Sequence, residues 1–223
     1  MEAIGVIILT IVANVVLLGV LGFGYYYFTC EVHGKSAEHG NADAQLKYGN
    51  GHYNTGQISE AIAWWIQAAR QGNTEAKIKL CQCMGDGYIK ASECIHQLAE
   101  SGDVVVQFLL GECYFHGKGI PANHAEAVRW YRKAAEQGNI DAQLFLGTCY
   151  QEGNGLSVDM HKAAEWYLKA AEQGDARGQC AIGLCYANGA GVSKDEEKAI
   201  GWWKRAAAQG NEPAKKLLAI SLS

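Results

Sequence analysis

Proline is close to absent, with two residues in 223 against 27 glycines. With 49% of the chain hydrophobic, collagen, polyproline and low-complexity readings fall away and a folded protein remains. No run of basic residues occurs, and 19 Lys and Arg stand against 23 Asp and Glu. The chain therefore lacks the positive footprint that a phosphate backbone requires, and nucleic acid is not an expected partner. Catalytic signatures are missing too: there is no His-Glu-x-x-His, no Gly-x-Ser-x-Gly, no Walker loop and no carboxylate pair at a fixed spacing. No enzyme activity, cofactor or small-molecule substrate is expected.

Charge is absent from one end of the chain, where Glu2 is the single charged residue among the first 28. The uncharged run from Ala3 to Gly24 would make about 33 Å of helix, enough for a bilayer core of about 30 Å. Tyr25, Tyr26, Tyr27 and Phe28 follow at the depth of the headgroups. A cleaved signal peptide would want a basic start and a small-x-small cleavage site, and a lipid attached at Cys30 would want small residues before it. The sequence thus predicts a transmembrane anchor over 1–28, a linker over 29–36 and a folded region over 37–223. Lys35 and Lys47 follow the span and no Lys or Arg precedes it, which leans the folded region of a single-pass membrane protein towards the cytoplasm, with the outside as the alternative.

What fills 37–223 is a repeat. A Gly-Asn or Gly-Asp pair begins at Gly40, Gly72, Gly102, Gly138, Gly174 and Gly210, giving five units and a C-terminal stub from Asn211. The second half of each unit spaces its apolar residues for a helix face, as in Ala163, Trp166, Tyr167, Ala170 and Ala171. All six tryptophans occupy this aromatic pair, which reads as core rather than a ligand cage. The first half carries Leu-Gly-x-Cys-Tyr, seen at Leu110 to Tyr114 and Leu146 to Tyr150. A Gly-x-Gly follows, at Gly117, Gly153 and Gly189. Coming after a helix and without a phosphate lysine, that Gly-x-Gly reads as the turn between two helices.

Ala-Gln-x-x-Leu-Gly-x-x-Tyr, then Gly-x-Gly, then Ala-x-x-(Trp/Tyr)-(Trp/Tyr)-x-x-Ala-Ala closing on Gln-Gly resembles the Sel-1-like repeat family, a relative of the tetratricopeptide repeat. The resemblance implies an all-α, right-handed α-solenoid with a C-terminal capping helix, and a role as an adaptor or scaffold that binds a protein or peptide. Repeat two departs from the pattern, with Cys81 for the glycine and Cys94-Ile95 for the aromatic pair. A cysteine-rich branch of the family, with a disulfide in each repeat, is associated with penicillin binding and β-lactam hydrolysis. A periplasmic protein of that kind is the alternative function.

Cys83, Cys113, Cys149 and Cys185 each stand eleven residues after a repeat glycine, forming one column. Equivalent residues on neighbouring helices lie about 8–10 Å apart, beyond disulfide reach, so buried thiols and a reducing compartment are expected. Cys81, Cys83, Cys94 and His96 are possible zinc donors. The first two, however, point about 200° apart on a helix, and no metal is expected.

On a helical wheel, positions +3, +7, +10 and +14 from each repeat glycine fall within about 60°, beside the apolar arc. This set is expected to line the concave groove and to hold the partner through Lys47, Lys79, Gln82, Leu109, Glu112, Phe145, Thr148 and Leu184. Phe145 has two readings, a contact for a bound peptide or a ring that leans across its neighbours to finish the core. The recurring glutamine at +5 (Gln45, Gln107, Gln143, Gln179) has no role that the wheel assigns.

Overall fold

The computed structural model describes residues 37, 40–85 and 89–221. Eleven α-helices and no strand occur among them: α1 (Ala42–Asn54), α2 (Ile58–Arg70), α3 (Thr74–Gly85), α4 (Ile89–Glu100), α5 (Val104–His116), α6 (His124–Glu136), α7 (Ile140–Glu152), α8 (Met160–Glu172), α9 (Ala176–Asn188), α10 (Glu196–Ala208) and α11 (Glu212–Ser221). The expected anchor and linker, residues 1–36, lie outside the described residues. No helix among the described residues is long and apolar enough to cross a membrane, which corrects the expectation of a single-pass membrane protein.

Two compact units divide the chain, one reaching Leu80 and the other running from Cys81 on. In the first, α1 packs on α2. In the second, each helix from α4 to α11 packs on the next, an all-helical repeat solenoid.

The Gly-Asn and Gly-Asp pairs are the joints of this architecture. The glycine takes a left-handed backbone, with φ of 90° at Gly138 and 89° at Gly174, which ends one helix without the strain a Cβ would bring. The next side chain starts the following helix: Asn139 accepts from the Ala142 N–H at 2.8 Å, and Asp175 from Arg177 and Gly178 at 2.8 and 3.1 Å. Within a repeat, Gly-x-Gly reverses the chain, and its second glycine meets the preceding repeat. A Cβ on Gly155 would lie 2.3 Å from the His124 carbonyl oxygen, and one on Gly191 would lie 1.9 Å from that of Met160.

The core follows the expected arc. Ala142, Leu146, Cys149 and Tyr150 of α7 are buried, as are Ala163, Trp166, Tyr167, Ala170 and Ala171 of α8. Trp65, Trp130, Trp166 and Trp203 are buried too, while Trp64 and Trp202 are half-buried. Lys133, Lys169 and Arg205, three residues after the first aromatic of each pair, lay their cations 4.3, 3.9 and 4.6 Å from the ring centroids of Trp130, Trp166 and Trp202. These rings are structural and do not form a cage.

Candidate protein-binding face

The first helix of each repeat bears the expected contact residues, and in repeats one, three, four and five its packing is set by a glycine on the opposite side. A Cβ at Gly111 would lie 2.5 Å from Cδ1 of Tyr131, and at Gly147 2.5 Å from Cε1 of Tyr167. The same holds at Gly49 against Trp65 and at Gly183 against Trp203. Close approach drives the aromatic ring across the first helix until its polar tip emerges beside position +10.

That geometry assigns the +10 column. Trp65 donates its indole N–H to Asn50 at 3.0 Å, Tyr131 donates its hydroxyl to Glu112 at 2.7 Å, and the Tyr167 hydroxyl lies 3.3 Å from Thr148. Thr148 also donates to the Leu144 carbonyl at 3.1 Å. In repeat five, where +10 is Leu184, Trp203 turns its N–H to the Cys180 carbonyl at 3.2 Å instead. A polar residue is present at +10 where a ring tip needs one there, and Leu184 is left 39% exposed.

The remaining candidates separate by burial. Lys47 on α1 and Gln82 on α3 are exposed, and Lys79 on α3 is half-buried. Leu109 is 3% exposed and belongs to the core, which corrects its reading as a groove contact. Phe145 is half-buried, stacked on Tyr131 with centroids 5.4 Å apart and tilted on Phe108 at 5.9 Å, so it finishes the core across two repeats. In the second unit the first-helix face thus presents Glu112 and Thr148 held by ring tips, the edge of Phe145, and Leu184.

Nothing in this arrangement activates a nucleophile. Burial pushes the Cys149 thiol up to about 11 and raises those of Cys180 and Cys185, so all three stay protonated at neutral pH. Burial, reinforced by the Glu112 carboxylate, holds the Tyr131 hydroxyl well above its ordinary value.

Two features escaped the sequence reading. The glutamines at +5 are buried, and each is paired on both ends. The Gln107 amide donates to the Ala99 carbonyl in the last turn of the preceding repeat at 2.8 Å and accepts from Gln137 at 2.8 Å. Gln143 does the same between Ala135 and Gln173, and Gln179 between Ala171 and Gln209. One side chain thereby closes its own repeat and ties it to the one before. The signal was present in two recurrences read apart, the glutamine at +5 and the glutamine of the closing Gln-Gly.

The second feature is a disulfide between Cys81 and Cys113, with Cα atoms 6.0 Å apart, which corrects the expectation of thiols throughout and with it the argument for a reducing compartment. Comparing like positions concealed it, because Cys81 stands at +9 and reaches a partner at +11 on the neighbouring first helix. Cys94, Cys149, Cys180 and Cys185 are free thiols. A bridge between repeats, beside unpaired cysteines in repeats two, four and five, is not the pattern of one disulfide per repeat on which the penicillin-binding alternative rested, and that alternative has no support.

Comparison with known proteins gives a consistent picture. The Sel1 repeat profile matches residues 42–73, 104–139, 140–175 and 176–211. A protective antigen of uropathogenic Escherichia coli that displays an SLR fold is similar at 34% identity over 85% of this chain and 43% of its own, with a TM-score of 0.60. This chain therefore spans less than half the length of that antigen. A Sel1 repeat protein from Oxalobacter formigenes is 42% identical over 59% of this chain and 98% of its own, with a TM-score of 0.54. No curated protein matches. The profile omits residues 74–103, the repeat that lacks the glycine and the aromatic pair.

Proposed function

The chain belongs to the Sel1 repeat family, whose members are protein-interaction scaffolds, and from that premise we propose that it holds a protein or peptide partner along the first-helix face of its repeats. The observation that carries this reading is Leu184, a large apolar side chain left exposed at the position where repeats one, three and four place a polar residue against a ring tip. Around it the face is preorganised, since the rings of Tyr131 and Tyr167 fix Glu112 and Thr148 before any partner arrives, which lowers the entropy lost on binding. The edge of Phe145, one repeat away, extends the apolar strip. Lys47 and Lys79 offer cationic contacts in the first unit, and Gln82 a polar one in the second.

Leu184→Asp tests the reading without touching the core. Capture of a partner should fall at least ten-fold while the thermal midpoint stays within about 2 °C of the parent. Capture unchanged in the folded variant would remove this face from consideration.

A further inference from the structure

The two helices of a repeat are tied twice: by a glycine against a ring, as Gly111 against Tyr131, and by a glutamine pair, as Gln137 on Gln107. Repeat two has neither tie. Cys81 stands in place of the glycine, Ile95 in place of the ring, and Lys77 and Ser101 in place of the two glutamines. The first two replacements suit each other, because a Cβ at the glycine position is tolerated only where no ring crosses it. Ile95 is fully buried and carries no ring, and Cys81 is buried as well. In place of both ties, the sulfur of Cys81 is bonded to that of Cys113 on α5, the first helix of the next repeat.

We propose that this disulfide is a redox-sensitive clasp: it holds the C-terminal part of α3, from Cys81 on, to α5 of the next repeat, where repeat two lacks the ties of the others, and its reduction releases that part of α3. Cys81 is 4% exposed and Cys113 is fully buried, so a reductant reaches the bond only when α3 opens locally. The co-reactant is a thiol or dithiol. A thiolate attacks one sulfur and expels the other, which takes up a proton. A second thiol then resolves the mixed disulfide, so the clasp gains two electrons and two protons and the reductant leaves as its own disulfide. Elsewhere the glutamine and glycine ties are indifferent to thiols, which confines the response to repeat two.

Hydrogen exchange of the full chain, followed by mass spectrometry with and without dithiothreitol, tests the clasp with no partner required. Peptides from that part of α3 should exchange at least ten-fold faster after reduction, while those from α8 to α10 keep their rates. Cys113→Ser should show the reduced pattern from the start and ignore dithiothreitol. Cys81→Ser removes the same bond from the other side and covers the case in which serine at 113 unfolds α5. Cys149→Ser should respond to reduction as the parent does. Equal α3 exchange in both redox states, loss of protection throughout the chain on reduction, or alkylation of Cys81 and Cys113 in the unfolded, unreduced chain would overturn the proposal.

Discussion

An added methyl at Gly147 would lie 2.5 Å from Cε1 of Tyr167, whereas one at Gly201 meets nothing within 4 Å. Both glycines are inside helices, so propensity alone predicts the same gain for alanine at each. Packing reverses the sign at the first, because the Tyr167 ring is itself buried and cannot step aside freely. Gly147→Ala should cost about 1–3 kcal/mol, while Gly201→Ala should gain about 0.5–1 kcal/mol. Denaturant midpoints of the two variants measure the difference. Gln143→Ala should cost about 1–3 kcal/mol, since it removes two hydrogen bonds, that to the Ala135 carbonyl, which keeps only the Gly138 N–H, and that from the Gln173 amide, and Gln143→Glu should not restore the loss, because a carboxylate cannot donate to a carbonyl. At this scale the sequence was legible wherever a residue belongs to a hydrophobic period, as with Trp166 and Tyr167. It was opaque at Gln143, a polar residue at the edge of the arc whose two partners lie 8 and 30 residues away. Leu109 and Phe145 share one wheel position, yet one is core and the other half-buried, because exposure depends on the neighbouring rings and not on the helix that bears them.

Most elements begin at an Asn or Asp cap, α2 with Gln57 being an exception, and Asp159 and Asp195 among these caps carry a pH dependence. The backbone N–H of Lys162 holds the Asp159 carboxyl below its ordinary range, and that of Lys198 does the same for Asp195. A carboxylate whose folded pKa is depressed contributes stability above its unfolded value of about 3.9, and that contribution is lost as pH falls through the lower folded value. The thermal midpoint should therefore drop between about pH 5 and pH 2. Asp159→Asn with Asp195→Asn keeps neutral caps and should flatten that part of the profile; an unchanged acid limb would show that these caps do not govern it. The caps of the first helices were within reach of the sequence, since the Gly-Asn and Gly-Asp pairs that define the period are the joints themselves, whereas Asp159 and Asp195 follow Val158 and Lys194 and stand outside those pairs. The disulfide was not, because it joins position +9 of α3 to +11 of α5, and periodic comparison sets like against like.

In the second unit, stability should add along neighbouring repeats, with α11 covering the end of the stack. Ala214 is buried against Ala199, Trp203 and Ala206, with Leu217 and Leu218 packed beside them. Deleting residues 211–223 should speed amide exchange in α10 and leave α6 and α7 unchanged, and uniform loss of protection would contradict nearest-neighbour coupling. The repeat architecture was the most legible property of the whole chain, since five copies average out the accidents of any one. Membrane spanning was the least, for an apolar run shows only that a helix of the right length is possible, and none of the described helices is one.

The central claim is that a partner lies on the first-helix face, and site-specific photo-crosslinking tests it most directly. A benzophenone side chain replaces Leu184 on α9 or, as control, Lys204, which is exposed on the second helix of the same repeat. The account predicts a crosslinked partner band from position 184 and none from 204. Crosslinking from 204 with none from 184 would contradict it.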